Sequence, residues 1–167
     1  AICQPAQYVI EGTVIKVDDG DTVIMQVVGS GKKTIRLASI DSPEAAHTQQ
    51  ERGRVGQPYS AKSTAYLTSL VLQKTVQGNC FEQDKYGRDV CNLSIGNTWI
   101  NAEMVRSGFA WANMSARGRY LRDQRLLQIE AAAHQAHAGL WADDAPVAPW
   151  VWRDSCWKQH QCSTSPK

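Results

Sequence analysis

No stretch of the 167 residues approaches the roughly 20 consecutive apolar positions that a membrane-crossing helix needs, so such a helix is excluded and no membrane partner is expected. There is no internal repeat either. Net charge is only +2 at pH 7, too small to point by itself to any class of partner. Zinc is excluded for want of ligands: His134 and His137 sit at i and i+3 with Glu130 a turn away, and Cys156, His160 and Cys162 lie in the tail, but neither group offers a full tetrahedral set. An initial methionine is lacking as well. The opening AICQPA suits a mature form after signal cleavage, and the expected location is secreted or periplasmic.

What is present suffices for one domain: 43% hydrophobic residues over this length can bury an ordinary core. Of the five cysteines, Cys80 and Cys91 flank a tight polar loop between two strand-like runs, and Cys156 and Cys162 lie close together. One or two disulfides and an oxidising compartment are expected, with Cys3 the odd thiol.

Segments 8–17, 21–28 and 33–40 are rich in β-branched residues and separated by turn chemistry at DDG and GSGK, which predicts a three-strand meander. Residues 43–57 have neither helical nor strand period and read as a long loop. A helix is expected over 58–73, a hairpin pair over 75–82 and 87–95, a short helix over 97–108 closed by Gly108, and a last helix from 120 to 138 ending at Gly139. The sum is an α+β, mainly β fold: a five-stranded, OB-type Greek-key barrel with three helices. Residues 1–142 are expected to form that domain, and 143–167 a Pro- and Trp-rich tail packed on it or trailing from it, its tryptophans covering the apolar edge of the barrel.

VDDGDTV crowds Asp18, Asp19 and Asp21 around Gly20 at a turn between strands, where like charges repel unless something cationic neutralises them. IDSPE adds Asp41 and Glu44 where the third strand ends, and adjacent strands of a meander can bring both clusters to one end of the barrel. Carboxylates with a nearby carbonyl make an oxygen-only site, suited to a hard cation such as Ca²⁺. Arg36 and Arg88 are candidates for phosphate, since a guanidinium binds it bidentately and stabilises extra charge as phosphorus is attacked. Five residues of straight strand would put Arg36 about 16 Å from Asp41, so either a substrate phosphate lies between them or the strand coils. The four arginines of 115–125 make one surface locally basic.

VDDGDTV, IRLASIDSPE, GQPYSAKSTAYL, DKYGRDVCNL, INAEMVRSGFAW and GLW, in this order, resemble the staphylococcal nuclease (thermonuclease) family from about Tyr8 to Trp141. APVAPWVWR looks like the tail of Gram-negative members. The resemblance implies a Ca²⁺-dependent phosphodiesterase that cuts DNA and RNA on the 5′-oxygen side of phosphorus, leaves 3′-phosphate ends, has little sequence preference and needs no obligate protein partner. It implies that Asp21, Asp41 and the Ser42 carbonyl ligate Ca²⁺, with Asp19 and Glu44 near the ion through water. Glu44 would be the general base, Arg36 and Arg88 would hold the phosphate and its transition state, and Lys85 and Tyr86 would contact a neighbouring phosphate. Met114 and Ala116 stand where the type nuclease has aromatic residues against the nucleotide, while Trp111 and Tyr120 lie nearby. The alternative is a catalytically silent domain of the same fold that binds nucleic acid or a protein; it would be expected to lose acids or arginines of the site, all of which are present.

Overall fold

The computed structural model describes residues 3–46 and 54–162. The expected loop over 43–57 is therefore described only at its two ends, and the last five residues of the expected tail, 163–167, lie outside the described residues.

Period-2 patterns fold as strands. β1 (Tyr8–Asp19), β2 (Thr22–Val27) and β3 (Gly31–Leu37) form the meander, and β2 turns Val23, Met25 and Val27 inward. β4 (Ile40–Asp41) is a two-residue strand that leaves this sheet for a later partner. After α1 (Ser60–Val71), β5 (Thr75–Gln83) and β6 (Asp89–Ile95) form the hairpin. β5 pairs with β1, and β6 pairs in parallel with β3 through Ile35–Asp89 and Leu37–Cys91. That last pairing closes β1, β2, β3, β6 and β5 into a five-stranded barrel, which removes the open edges.

β7 (Thr98–Trp99) leads into α2 (Ile100–Arg106); β8 (Trp111–Ala112) pairs with β4, and α3 spans Arg125–Gln135. α1 buries Ser63, Leu67 and Val71, an i, i+4, i+8 stripe, against the barrel. Asn101 of α2 is fully buried because it is fully used: its side chain accepts from Leu93 N–H and donates to the carbonyls of Ala38 and Cys91. It thereby ties β6 to the turn after β3, the turn that leads to Asp41.

Gly108 closes α2, as expected, whereas α3 already ends at Gln135, with His137 in a left-handed conformation, and not at Gly139; the two glycines nevertheless touch one another. Leu140 N–H donates to the Gly108 carbonyl, and a Cβ on Gly108 would lie 2.0 Å from the Ala138 carbonyl oxygen. Both have positive φ, so any other residue there would be strained as well as crowded.

Three expectations differ in extent. The third strand stops at Leu37 rather than 40, because Ser39 takes a left-handed conformation (φ 69°) and turns the chain. The last helix starts at Arg125 rather than 120; Asp123 accepts from Arg125 N–H and its guanidinium, fixing the turn before it. The tail adds a fourth helical turn, α4 (Pro149–Trp152), followed by a π-helical turn over Arg153–Lys158.

Cys80 pairs with Cys91 directly across β5 and β6, and Cys156 with Cys162; Cys3 is free and exposed. Thiol titration of the unreduced, denatured protein should therefore find one reactive thiol among the five cysteines. Five would contradict both pairings. Among the described residues no helix is long and apolar enough to cross a membrane.

Candidate functional site

The acidic turn between β1 and β2 is built for close packing. Asp21 N–H donates to Asp19 Oδ1 at 3.0 Å, which folds the turn on itself. Gly20 has no alternative: a Cβ there would stand 2.0 Å from Ser63 Oγ of α1 and 2.7 Å from Ser42 Cβ. The turn is thus pressed against the start of the segment after β4, and Asp21 gains its partners there. Ser42 donates to Asp21 Oδ2 from both its N–H (2.9 Å) and its hydroxyl (3.0 Å), and the Thr22 hydroxyl donates to Oδ1.

Arg36 joins the two acidic segments. The turn at Ser39 brings the chain back past the end of β3, so the guanidinium donates to the carbonyls of Leu37 (2.7 Å) and Ile40 (2.9 Å). Its Nη2 then stands 3.4 Å from Asp21 and 3.6 Å from Asp41. Arg36 and Asp41 meet not because the strand coils but because β3 stops at Leu37 and the chain turns at Ser39.

Arg88 sits on the β5–β6 loop, which Asp84 organises. One Asp84 oxygen accepts from the N–H groups of Tyr86 and Arg88, the other from Arg88 Nε at 2.8 Å. Lys85 and Arg88 both pack over the ring of Tyr86, which is 72% exposed.

Asp19, Asp21, Arg36, Asp41, Ser42, Glu44, Lys85, Tyr86 and Arg88 line one open cleft of about 890 Å³. Every residue singled out in the sequence as a ligand, base or phosphate contact borders it. Of the two nearby aromatics, Tyr120 lines the cleft at 45% exposure, whereas Trp111 does not; it packs against Trp141 and Trp150. In the basic segment 115–125, Arg122 also lines the cleft and pairs with Glu82 at 2.8 Å.

The electrostatics are dominated by buried acids. Burial, reinforced by the neighbouring Asp21 charge, pushes Asp19 up to about 8. Burial also works against ionised Asp21, but Arg36, Asp19 and Ser42 outweigh it and hold Asp21 below the usual carboxylate range. Burial raises Asp41, and it pushes Glu44 up to about 7.

Two residues that sequence reasoning missed complete the site. Gln57 accepts from Glu44 N–H while its own N–H donates to the Glu44 carbonyl, and its side-chain amide donates to the carbonyl of Val147 in the tail. Arg153, from the turn after α4, forks onto both oxygens of Asp41 (3.2 and 2.8 Å) and also donates to Glu44. The tail's tryptophans and paired cysteines were the available signal that it is ordered, but no spacing rule points an arginine there at the acids.

Among the described residues no three His, Cys, Asp or Glu side chains already converge as a ligand set. Guanidinium groups take the acid oxygens instead. In donor chemistry the site nevertheless fits a hard cation. It is oxygen-only, Asp41 and Asp21 are 1% and 6% exposed, and Asp19 and Glu44 line the cleft beside them.

Residues 34–143 match the family described as staphylococcal nuclease homologue. The chain is similar to an uncharacterized endonuclease of Escherichia coli O157:H7, 38% identical over 146 residues that cover 86% of this chain and 85% of the relative. A second uncharacterized endonuclease, from Haemophilus influenzae, is 35% identical over 84% of this chain and 71% of its own length. A micrococcal nuclease of Shigella flexneri is 32% identical over 89% and 83%.

Proposed function

The chain belongs to the staphylococcal nuclease family and is a nuclease; from that premise we propose that it is a Ca²⁺-dependent phosphodiesterase acting on DNA and RNA, cutting the P–O5′ bond to leave 3′-phosphate ends. One observation carries the reading: buried Asp21 and Asp41, half-buried Asp19 and Glu44, and Arg36 meet at one end of the barrel, in the cleft that Lys85, Tyr86 and Arg88 also line.

Asp21, Asp41 and the carbonyl of Ser42 would hold the cation, with Asp19 and Glu44 near it through water. Bound there, Ca²⁺ supplies charge neutralisation at a phosphate oxygen and lowers the pKa of nearby water. Arg36 and Arg88 receive the phosphate as forked donors and meet the charge that grows on its oxygens as attack proceeds. Glu44 takes a proton from the attacking water as its oxygen bonds to phosphorus. The P–O5′ bond breaks, the 5′-oxygen leaves as a hydroxyl after protonation from solvent, and the phosphate stays on the 3′ side. Lys85 and Tyr86 hold the next phosphate along the strand. The two disulfides fit an oxidising compartment, secreted or periplasmic. Residues 1–142 serve as the nuclease domain and 143–167 as its tail.

Chelation should stop degradation of single-stranded DNA and of RNA, and added Ca²⁺ should restore it. Undiminished cleavage in chelator would contradict the calcium reading.

The Asp84 contacts give a further expectation. Asp84→Ala releases the loop that presents Arg88 without touching the core, so kcat/KM should fall about tenfold or more while the melting temperature changes little. Asp84→Asn keeps an acceptor for the backbone N–H groups and should recover part of the loss. Equal activity of wild type and Asp84→Ala would mean that Arg88 finds its working position unaided.

A further inference from the structure

Arg153 reaches the acids from a segment that is tied down on both sides. Trp152, before it, is 3% exposed and donates its indole N–H to the Val55 carbonyl at 2.9 Å. Trp157, after it, donates to the same carbonyl at 3.1 Å. Between them Cys156 is buried and bridged to Cys162, and upstream Gln57 links the Val147 carbonyl to the backbone of Glu44. The arginine is therefore delivered to the cleft rather than draped over it.

The two arginines at the acids bond differently. Arg36 spends its donors on backbone carbonyls and stands 3.4 to 3.6 Å from the carboxylate oxygens, an ion-pair distance without a hydrogen bond. Arg153 makes the direct contacts, forked on Asp41 and joined to Glu44, and among the described residues it donates to no backbone carbonyl. A planar fork on both oxygens of one carboxylate occupies the side from which a cation would be chelated by that carboxylate, using one of the two lone pairs on each oxygen. A doubly charged ion beside that guanidinium would also meet direct repulsion, stronger in a partly buried site than in water. Arg153 and a cation at Asp41 and Glu44 therefore oppose each other in this arrangement.

We infer that Arg153 is an internal counter-ion of the acid cluster: it pairs with Asp41 and Glu44 in the cation-free protein, competes with the divalent cation for them, and so sets the cation affinity of the site. The physical reason for such a residue is the acid excess itself. Without a counter-charge, the acids at this end of the barrel cannot all ionise without repelling one another, which weakens the cation-free fold. Arg153 relieves that repulsion and weakens cation binding by the same contact. This inference rests on the calcium reading above.

The test is calorimetric titration of Ca²⁺ into the full chain, without substrate, for wild type, Arg153→Gln and Arg153→Lys. Arg153→Gln removes the charge and should lower the Kd for Ca²⁺ at least tenfold. Arg153→Lys keeps a charge but not the fork and should fall between the two; it also serves if the glutamine variant does not fold. Thermal melting gives a second readout: Arg153→Gln should melt below wild type in chelator and regain the difference in saturating Ca²⁺. A merely structural role would lower both melting points alike and leave Kd unchanged. A Kd in Arg153→Gln equal to or above that of wild type overturns this inference alone, whereas absence of Ca²⁺ binding in every form overturns the calcium reading together with it.

Discussion

Glu44→Gln should lower turnover on single-stranded DNA by about 10³-fold while leaving affinity for the strand nearly unchanged. Glutamine keeps the size of the side chain and its ability to accept a hydrogen bond from Arg153, but it cannot take a proton from water. The position is fixed independently of the carboxylate, because Gln57 brackets the Glu44 backbone from both sides. The substitution therefore removes basicity without moving the chain. Single-turnover rates on a defined oligonucleotide, with binding measured separately on an uncleavable phosphorothioate analogue, separate the two effects. Unchanged turnover would remove Glu44 from the proton transfer.

Arg88→Ala should slow cleavage by about 100-fold or more, with a smaller effect on binding of intact substrate. The fork of Arg88 is already oriented by Asp84, so little of its freedom is lost when phosphate arrives. Its contribution should then appear mainly where charge builds up, in the transition state. Arg88→Lys should rescue poorly, since an ammonium cannot bridge two phosphate oxygens in one plane. A loss of less than about threefold in Arg88→Ala would argue against transition-state contact.

The barrel could be read from the chain because β-branched runs, turn residues and a hairpin all recur with strand period, and the inward set Val23, Met25 and Val27 follows directly from it. The meeting of VDDGDTV with IDSPE could be read for the same reason: a meander returns successive strand ends to one side. What could not be read was how the second segment arrives. Ser39 in a left-handed conformation is invisible to spacing arguments, and a straight extension of β3 would have carried Arg36 well away from Asp41. The same limit hid Arg153. It stands 112 residues from Asp41 in a tail without periodicity, and its place at the acids depends on buried tryptophans and a six-residue disulfide loop. Trp111 and Tyr120 both lie near Met114 and Ala116 in the sequence, and only packing distinguishes them. Trp111 is consumed by the stack with Trp141 and Trp150, while Tyr120 is left at the opening.

The central claim, hydrolysis at the P–O5′ bond by an acid cluster that uses Ca²⁺, is tested most directly by identifying the ends of the products. Single-stranded DNA digested by the purified full chain in Ca²⁺ should yield fragments with 3′-phosphate and 5′-hydroxyl ends, and none should form in chelator. Fragments carrying 5′-phosphate and 3′-hydroxyl ends would contradict the account, because the leaving oxygen would then be the other one.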